Sequence, residues 1–375
     1  MIYLDNNATT RVAPEVFEAM LPHLTTEWGN PSSTHALGRA ARAAVETGRA
    51  QAAQFLGATK PDEIVFTSGG SESNNWAIGG FLEQNPARRH IITTTVEHEA
   101  VRNLCLHLNE IGCEVTWLSV DRNGELDLDD LRKALRRDTG LVSIMMANNE
   151  TGMIFPIAEI GRIVREHSDA VIHVDGVQAV GKIPIDLKQL DVDLFSVSGH
   201  KFHAPKGIGA LYVRSGINLP PFVIGGGQER GRRSGTEAVP NIAGFGRACE
   251  LAEQFDGHDR VRSLRDKLED EILTRFAGAT LNGVASREKR LPNTANISFV
   301  GRDGAEVMTR LDAAGICVST GSACHSGSAQ ISAVLQAMEV PSDIGRGSIR
   351  FSFGRYNVDA DIVQTVAALS EIIRS

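Results

Sequence analysis

Between residues 60 and 215, short β-branched apolar runs alternate with stretches of helical period. The strand candidates span 63–67, 90–95, 114–119, 141–147, 170–174, 193–198 and 208–213. Several are nearly continuous apolar runs, as expected of strands covered on both faces. Helical patterns separate most of them, as after Ser71, from His98 to Glu110 and from Pro156 to His167. Strand–helix alternation predicts an α/β class with a seven-stranded, mostly parallel sheet and helices on both sides. The last two strands are joined by a short Gly/Pro loop without a helix, which predicts a hairpin or an irregular crossover.

The flanks differ from this centre. An Ala-rich helix is expected from about His35 to Leu56, stopped by Gly57. After the strands comes a Gly/Arg-rich loop, 225–236, then two helical stretches, about 238–255 and 258–277. From about residue 280, short strands (295–300 and 347–353) alternate with helices (303–314, 329–338 and 359–374). That change of rhythm predicts a smaller α+β unit at the C-terminal end.

Composition narrows the function classes. With 375 residues the chain is long for one module, at a soft prior of about 150 residues per domain. Lys+Arg number 38 against 46 Asp+Glu, a net charge of −8, so no general pull on nucleic acid or anionic lipid is expected. No apolar run reaches the roughly 18 residues that span a bilayer. The start, MIYLDNNATT, has neither the basic nor the apolar region of a signal peptide. Five cysteines lack CxxC spacing, which argues against a disulfide framework or a zinc cage and fits a reducing cytoplasm.

Only eight lysines offer an amine nucleophile. Most lie in helices, polar loops or turns; Lys182 and Lys206 are in Gly/Pro turns. Lys201 differs, because it follows the strand 193–198 on the loop beyond the strand's carboxyl end, where open α/β sheets place ligands. A Schiff-base lysine needs such a partly desolvated setting; a surface loop lysine is the plainer alternative. Asp175 ends another strand, and is either a cap or the partner of a cationic ligand group such as a protonated ring nitrogen. Gln178, three residues on, could donate to a ring oxygen.

The segment TSGGSESNN (67–75) runs strand, Gly-Gly turn, helix. It is a candidate phosphate cup or a plain capping turn, and it matches neither the P-loop nor GxGxxG. His98 lies where a strand meets a helix, and lacks the second histidine that a metal motif needs, so acid–base work or ring stacking is the better reading. Asn148, Asn149 and Glu150 add polar groups at a fourth strand end. Cys324 alone among the cysteines lies in a Gly/Ser/Thr loop, STGSACHSGS, beside His325; exposure there favours reactivity. Arg350 and Arg355 are candidates to clamp a substrate carboxylate. The basic loop Arg230, Arg232 and Arg233 lacks interleaved aromatics, and reads as a phosphate or interface loop rather than a nucleic-acid site.

Taken together, YLDNNATT, GNPSSTH, TSGGSES, VEHEAV, NNETG, HVDGVQAVGK, SGHKFHAPKG, RRSGTE, GSACHSG and IRFSFGR resemble the NifS/IscS-type cysteine desulfurases, over essentially the whole chain. These are class-V aminotransferase-like pyridoxal-phosphate enzymes of fold type I. The resemblance implies a large cofactor-binding domain at 15–257, and a small domain from 1–14 and 258–375 that carries the Cys324 loop. It implies that Lys201 forms the Schiff base with the cofactor and that Asp175 pairs with the ring nitrogen. Asn149 and Gln178 would hold the ring-oxygen side, and His98 would stack on the ring and shuttle protons. Gly70, Ser71, Ser198 and His200 would bind the phosphate, Gly199 would bind the cofactor between them, and Thr236 would reach the phosphate of a neighbouring subunit in a homodimer. Arg350, assisted by Asn149, would bind the carboxylate of L-cysteine, and Cys324 would attack its sulfur. The expected products are L-alanine and a persulfide on Cys324, delivered to an iron–sulfur scaffold or another acceptor. No resident metal is expected, though Cys324 could transiently ligate an iron–sulfur cluster. A selenocysteine lyase or a pyridoxal-phosphate aminotransferase is the alternative within the class.

Overall fold

The computed structural model describes residues 1–321 and 331–374. Twelve strands are present among them: β1 (Ile2–Tyr3), β2 (Ile64–Thr67), β3 (His90–Thr94), β4 (Glu114–Leu118), β5 (Thr139–Met145), β6 (Val171–Asp175), β7 (Leu194–Ser198), β8 (Gly209–Val213), β9 (Ala279–Leu281), β10 (Thr294–Phe299), β11 (Ile316–Cys317) and β12 (Ser348–Ser352). Seven of them form the central sheet in the order β2-β8-β7-β6-β5-β3-β4. Strand β8 runs antiparallel to both neighbours, and the other pairings are parallel. The sheet is therefore mostly parallel, and β7 and β8 form the hairpin that the short Gly/Pro loop implies.

The continuous apolar runs are explained by burial on two faces. Successive side chains of a strand point to opposite sides. Ile64, Phe66, Ile92, Val142 and Phe195 enter one core, with Val45, Ala52, Ile160 and Ile163 from helices. Val65, Ile91, Leu141, Leu194 and Leu211 enter the core on the other face, with Trp76, Phe81, Val101 and Leu108. Helix Ala36–Leu56 closes as its sequence implies, with Gly57 in the left-handed region at φ 67°.

A third core surrounds the antiparallel sheet β12-β10-β9. It draws Val261, Leu264, Leu268 and Ile272 from helix His258–Arg275, Val307 and Leu311 from Gly304–Ala313, and Ile362, Val366 and Leu369 from Asp359–Arg374. Ile2 and Leu4 join it from the opposite end of the chain. Strand β1 pairs with β11, and Ser352 N–H donates to Leu4 O at 2.7 Å. The chain then crosses to the large sheet, where Thr10 N–H donates to His200 O at 2.8 Å and Ala13 N–H to His203 O at 3.1 Å. The first thirteen residues thus strap the two units together.

Some elements lack a sequence signal. Helix Pro14–Thr25 buries Val16 and leaves Phe17, Leu21 and Leu24 exposed, so its apolar pattern is not that of a core-facing helix. Strands β1, β9 and β11 are two or three residues long, too short for a periodicity.

Arg49, on helix Ala36–Leu56, is buried and forks onto Glu229 with two hydrogen bonds of 2.7 Å. It also donates to Ile64 O at 2.8 Å, while Glu229 accepts from Phe66 N at 3.0 Å. This pair fastens the Gly/Arg-rich loop to β2. Arg49→Ala strands the Glu229 carboxylate, and should cost about 3–5 kcal/mol in denaturant-induced unfolding. Joint replacement of both residues by apolar ones should cost much less.

Candidate functional site

Parallel strands all end on one side, and the residues just past their carboxyl ends converge there. Strand β6 ends in Asp175, β7 in Ser198, and His200 and Lys201 follow in one turn. A cavity of about 320 Å³ opens at these ends. Its walls include Gly70, Ser71, His98, Asn149, Asp175, Gln178, Ser198, His200, Lys201 and Arg350. Ten residues singled out from sequence, drawn from six segments, therefore line one space.

Asp175 is 5 % exposed. Its Oδ2 accepts from Asn74 Nδ2 at 2.7 Å and its Oδ1 from Val177 N at 3.0 Å. A carboxylate has capacity for further donors, and this one faces the cavity. Lys201 Nζ donates to Asn7 O at 2.5 Å and Ala8 O at 3.0 Å, which holds the amine at the cavity wall. Arg350 is buried on the opposing unit; Nη1 donates to Asn149 O at 3.0 Å and Nη2 to Asp5 Oδ1 at 2.8 Å. Its Nε has no partner among the described residues.

At another edge of the cavity a turn precedes helix Gly70–Asn75, which continues without a break to Gln84. Gly69 takes φ 154°, and a Cβ on Gly70 would stand 2.7 Å from Val177. Only a glycine fits there without moving Val177, and the helix start then lies at the cavity edge with its first N–H groups. His200 Nδ1 is 3.1 Å from Thr9 Oγ1, and burial, helped by Lys201, brings its pKa down to about 4. His200 is neutral at pH 7 and serves as a polar wall, not as a cation. His98 caps helix Glu99–Glu110, accepting Ala100 N–H on Nδ1 at 3.1 Å. In the neutral ring the proton then sits on Nε2.

The structure places other candidates away from this cavity. Gly199 does not line the cavity: its N–H is donated to Ile208 O at 3.0 Å, and it packs against Ala204, Phe245 and Ile208, so it supports the wall from behind. Arg355 lines a separate small cavity and stacks over Phe255 at 4.8 Å, so of the two candidate arginines only Arg350 faces the site. Arg230 and Arg233 pair within the chain, with Asp62 at 2.8 Å and Glu72 at 2.9 Å. Thr236 is exposed and away from this cavity. Cys324 and His325 lie outside the described residues.

Sequence reasoning missed Asn7, Asn74, Lys182 and Glu97. Lys182 reads as a turn lysine, yet it is buried, and its spacing of four from Gln178 was the available signal. Glu97 precedes His98 and is buried behind the site; Oε1 accepts from Thr94 Oγ1 and Met145 N, both at 2.9 Å. Burial, with Asp175 adding, pushes its pKa up to about 8. Glu150 is buried too, and its pKa rises to about 7 through burial.

The chain is similar to known proteins over its whole length. A family model described as aminotransferase class-V matches residues 2–365. A cysteine desulfurase from Trichormus azollae is 51 % identical over 376 residues, covering 100 % of this chain and 93 % of that protein. A solved structure named a NifS-like protein superposes with a TM-score of 0.93 at 40 % identity, covering 100 % of this chain and 99 % of the other. Another, SspA in complex with cysteine, has a TM-score of 0.83 at 36 % identity, covering 96 % of this chain and all of the other.

The buried Glu97 makes stability depend on pH. Below the ordinary carboxyl range both folded and unfolded chains hold the proton. As pH rises from about 4.5 toward 8, only the unfolded chain releases it, so this group removes stability across that window. Glu97→Gln should flatten the loss and be the more stable protein at pH 8, by about 2 kcal/mol or more. Urea unfolding at pH 5, 6.5 and 8 checks it.

Proposed function

We propose, for a chain that belongs to the aminotransferase class-V family, that it is a cysteine desulfurase. It removes sulfur from L-cysteine, leaves L-alanine, and carries the sulfur on Cys324 to an acceptor protein such as an iron–sulfur scaffold. The observation that carries this reading is one cavity with an amine, a buried carboxylate and a buried guanidinium on its walls: Lys201, Asp175 and Arg350.

The residues fit pyridoxal phosphate. Asp175, buried and oriented by Asn74, suits a protonated ring nitrogen. The Gly70–Ser71 helix start, Ser198 and His200 offer a cradle for a phosphate group. Among the described residues, Lys201 is the one lysine on this cavity wall. When bound there, the cofactor supplies an electron sink next to the substrate's Cα.

The chain's own groups do the rest. Arg350 binds the substrate carboxylate as a charged hydrogen-bond donor, next to the Asn149 carbonyl that orients it. Lys201 Nζ takes the proton from Cα and returns it on the product side. His98, with its Nε2–H at the rim, holds and passes protons. The sulfur of Cys324 attacks the substrate sulfur: an S–S bond forms as the Cβ–S bond breaks. The electron pair stays with carbon, which takes up a proton to become the methyl of alanine.

We further infer a large unit at 15–257 and a small unit from 1–14 and 258–375. The separate core that Ile2 and Leu4 share with residues 261–372 supports that division. The homodimer, in which Thr236 reaches the partner's phosphate, is supported by the exposure of Thr236 away from its own cavity. Among the described residues no helix is long and apolar enough to cross a membrane.

Two experiments test the function. Protein reconstituted with pyridoxal phosphate should show a visible band near ~420 nm that Lys201→Ala abolishes. Cys324→Ala should keep that band and lose at least about 100-fold in sulfide release from cysteine. Full release by Cys324→Ala would instead favour a selenocysteine lyase or an aminotransferase. Arg350→Gln should raise KM for cysteine about 10- to 100-fold in the same assay.

A further inference from the structure

Behind the cavity lies a buried amine that the chemistry above leaves unused. Lys182 follows β6 in the turn after Gly181. Its Nζ donates to Gln178 Oε1 at 2.5 Å and to Asn7 Oδ1 at 3.0 Å. Gln178 Nε2 donates to Asn7 O at 2.9 Å, the carbonyl that also receives Lys201 Nζ. Asn7 Nδ2 donates to Asn149 O at 3.1 Å, the oxygen that also receives Arg350 Nη1. Three side chains assigned to the cofactor and the substrate thus meet one network, with Lys182 at its back.

An amide has a donor end and an acceptor end, related by a half-turn. A flipped amide loses its hydrogen bonds without changing shape. Lys182 takes the oxygen end of both Gln178 and Asn7. The NH₂ of Gln178 then faces Asn7 O and the cavity, and the NH₂ of Asn7 faces Asn149. Burial, with Lys201 and Arg350 adding, pulls the Lys182 pKa well below the usual lysine range. The amine offers an N–H to each of the two oxygens.

Resting on the function proposed above, we propose that Lys182 is a positioning residue whose N–H donors lock the Gln178 amide with its NH₂ toward the cofactor's ring oxygen. Without those donors the Gln178 amide keeps only its bond to Asn7 O, and its NH₂ is held toward the ring oxygen less firmly. A donor beside an anionic ring oxygen favours release of the proton shared with the Lys201 nitrogen. Loss of that donor holds the proton more tightly.

The test is a pH titration of the visible band of reconstituted Lys182→Met, beside a fluorescence measurement of pyridoxal-phosphate affinity. Met keeps the apolar stem and removes the donors. The midpoint should rise by about half a pH unit or more, and the Kd by about fivefold or more. A purely structural role would lower the melting temperature and leave the midpoint in place. An unchanged midpoint and Kd in Lys182→Met would overturn the inference. Should that variant precipitate, Lys182→Gln, with one donor end, should show an intermediate rise, and no rise would overturn the inference equally. A wild-type chain that acquires no visible band would sink the proposed function itself, and this inference with it.

Discussion

Asn7 holds two separately cored units at a fixed separation. Its N–H donates to Ser352 Oγ at 2.9 Å and its Nδ2 to Thr294 Oγ1 at 2.9 Å, both on the small sheet. Asn293 Nδ2 donates to Asn7 Oδ1 at 3.0 Å. On the other side, its carbonyl accepts from Lys201 and Gln178 of the large unit. The cavity lies between these two sets. If the units slid by an ångström, the hydrogen bonds that Asn7 makes to both would be lost together. Buried polar groups are costly to leave unpaired, so a fully bonded asparagine at the junction specifies one arrangement.

The charges around the cavity follow the same logic of burial with partners. Asp175 is held by Asn74 and the Val177 N–H. Arg350 is held by Asp5 and a backbone carbonyl. Neither has to be ordered when a ligand arrives, which is what electrostatic preorganisation requires. The neighbouring groups that burial discharges are neutral at pH 7: His200 by loss of its proton, Glu97 by retention of its own. The strong local fields therefore come from a few residues at the strand ends.

Much of the central sheet was legible because its strands carry continuous apolar runs. The seven runs between 63 and 213 coincide with β2 to β8 within a residue or two. The turn chemistry was equally plain where one residue decides it, as at Gly57. Helix Pro14–Thr25 escaped because its stability comes from contact with helix Val239–Glu253, not from an amphipathic stripe of its own. The gathering of Lys201, Asp175, Gln178 and Ser198 was foreseeable, since each follows or ends a parallel strand, and parallel strands end on one side.

The sequence by itself determined the class of the fold, the polarity of the sheet and the strand ends that carry the reactive side chains. These depend on local pattern and on the fixed geometry of strands. Only the tertiary structure decided which polar groups are buried and which way their hydrogen bonds run. Lys182 reads as a turn residue until Asn7, 175 residues away, is laid against it. Gly199 and Arg355 sit in suggestive motifs, yet face away from the cavity. Desolvation is a property of what surrounds a side chain in space, and neighbours far apart in the chain create that surrounding.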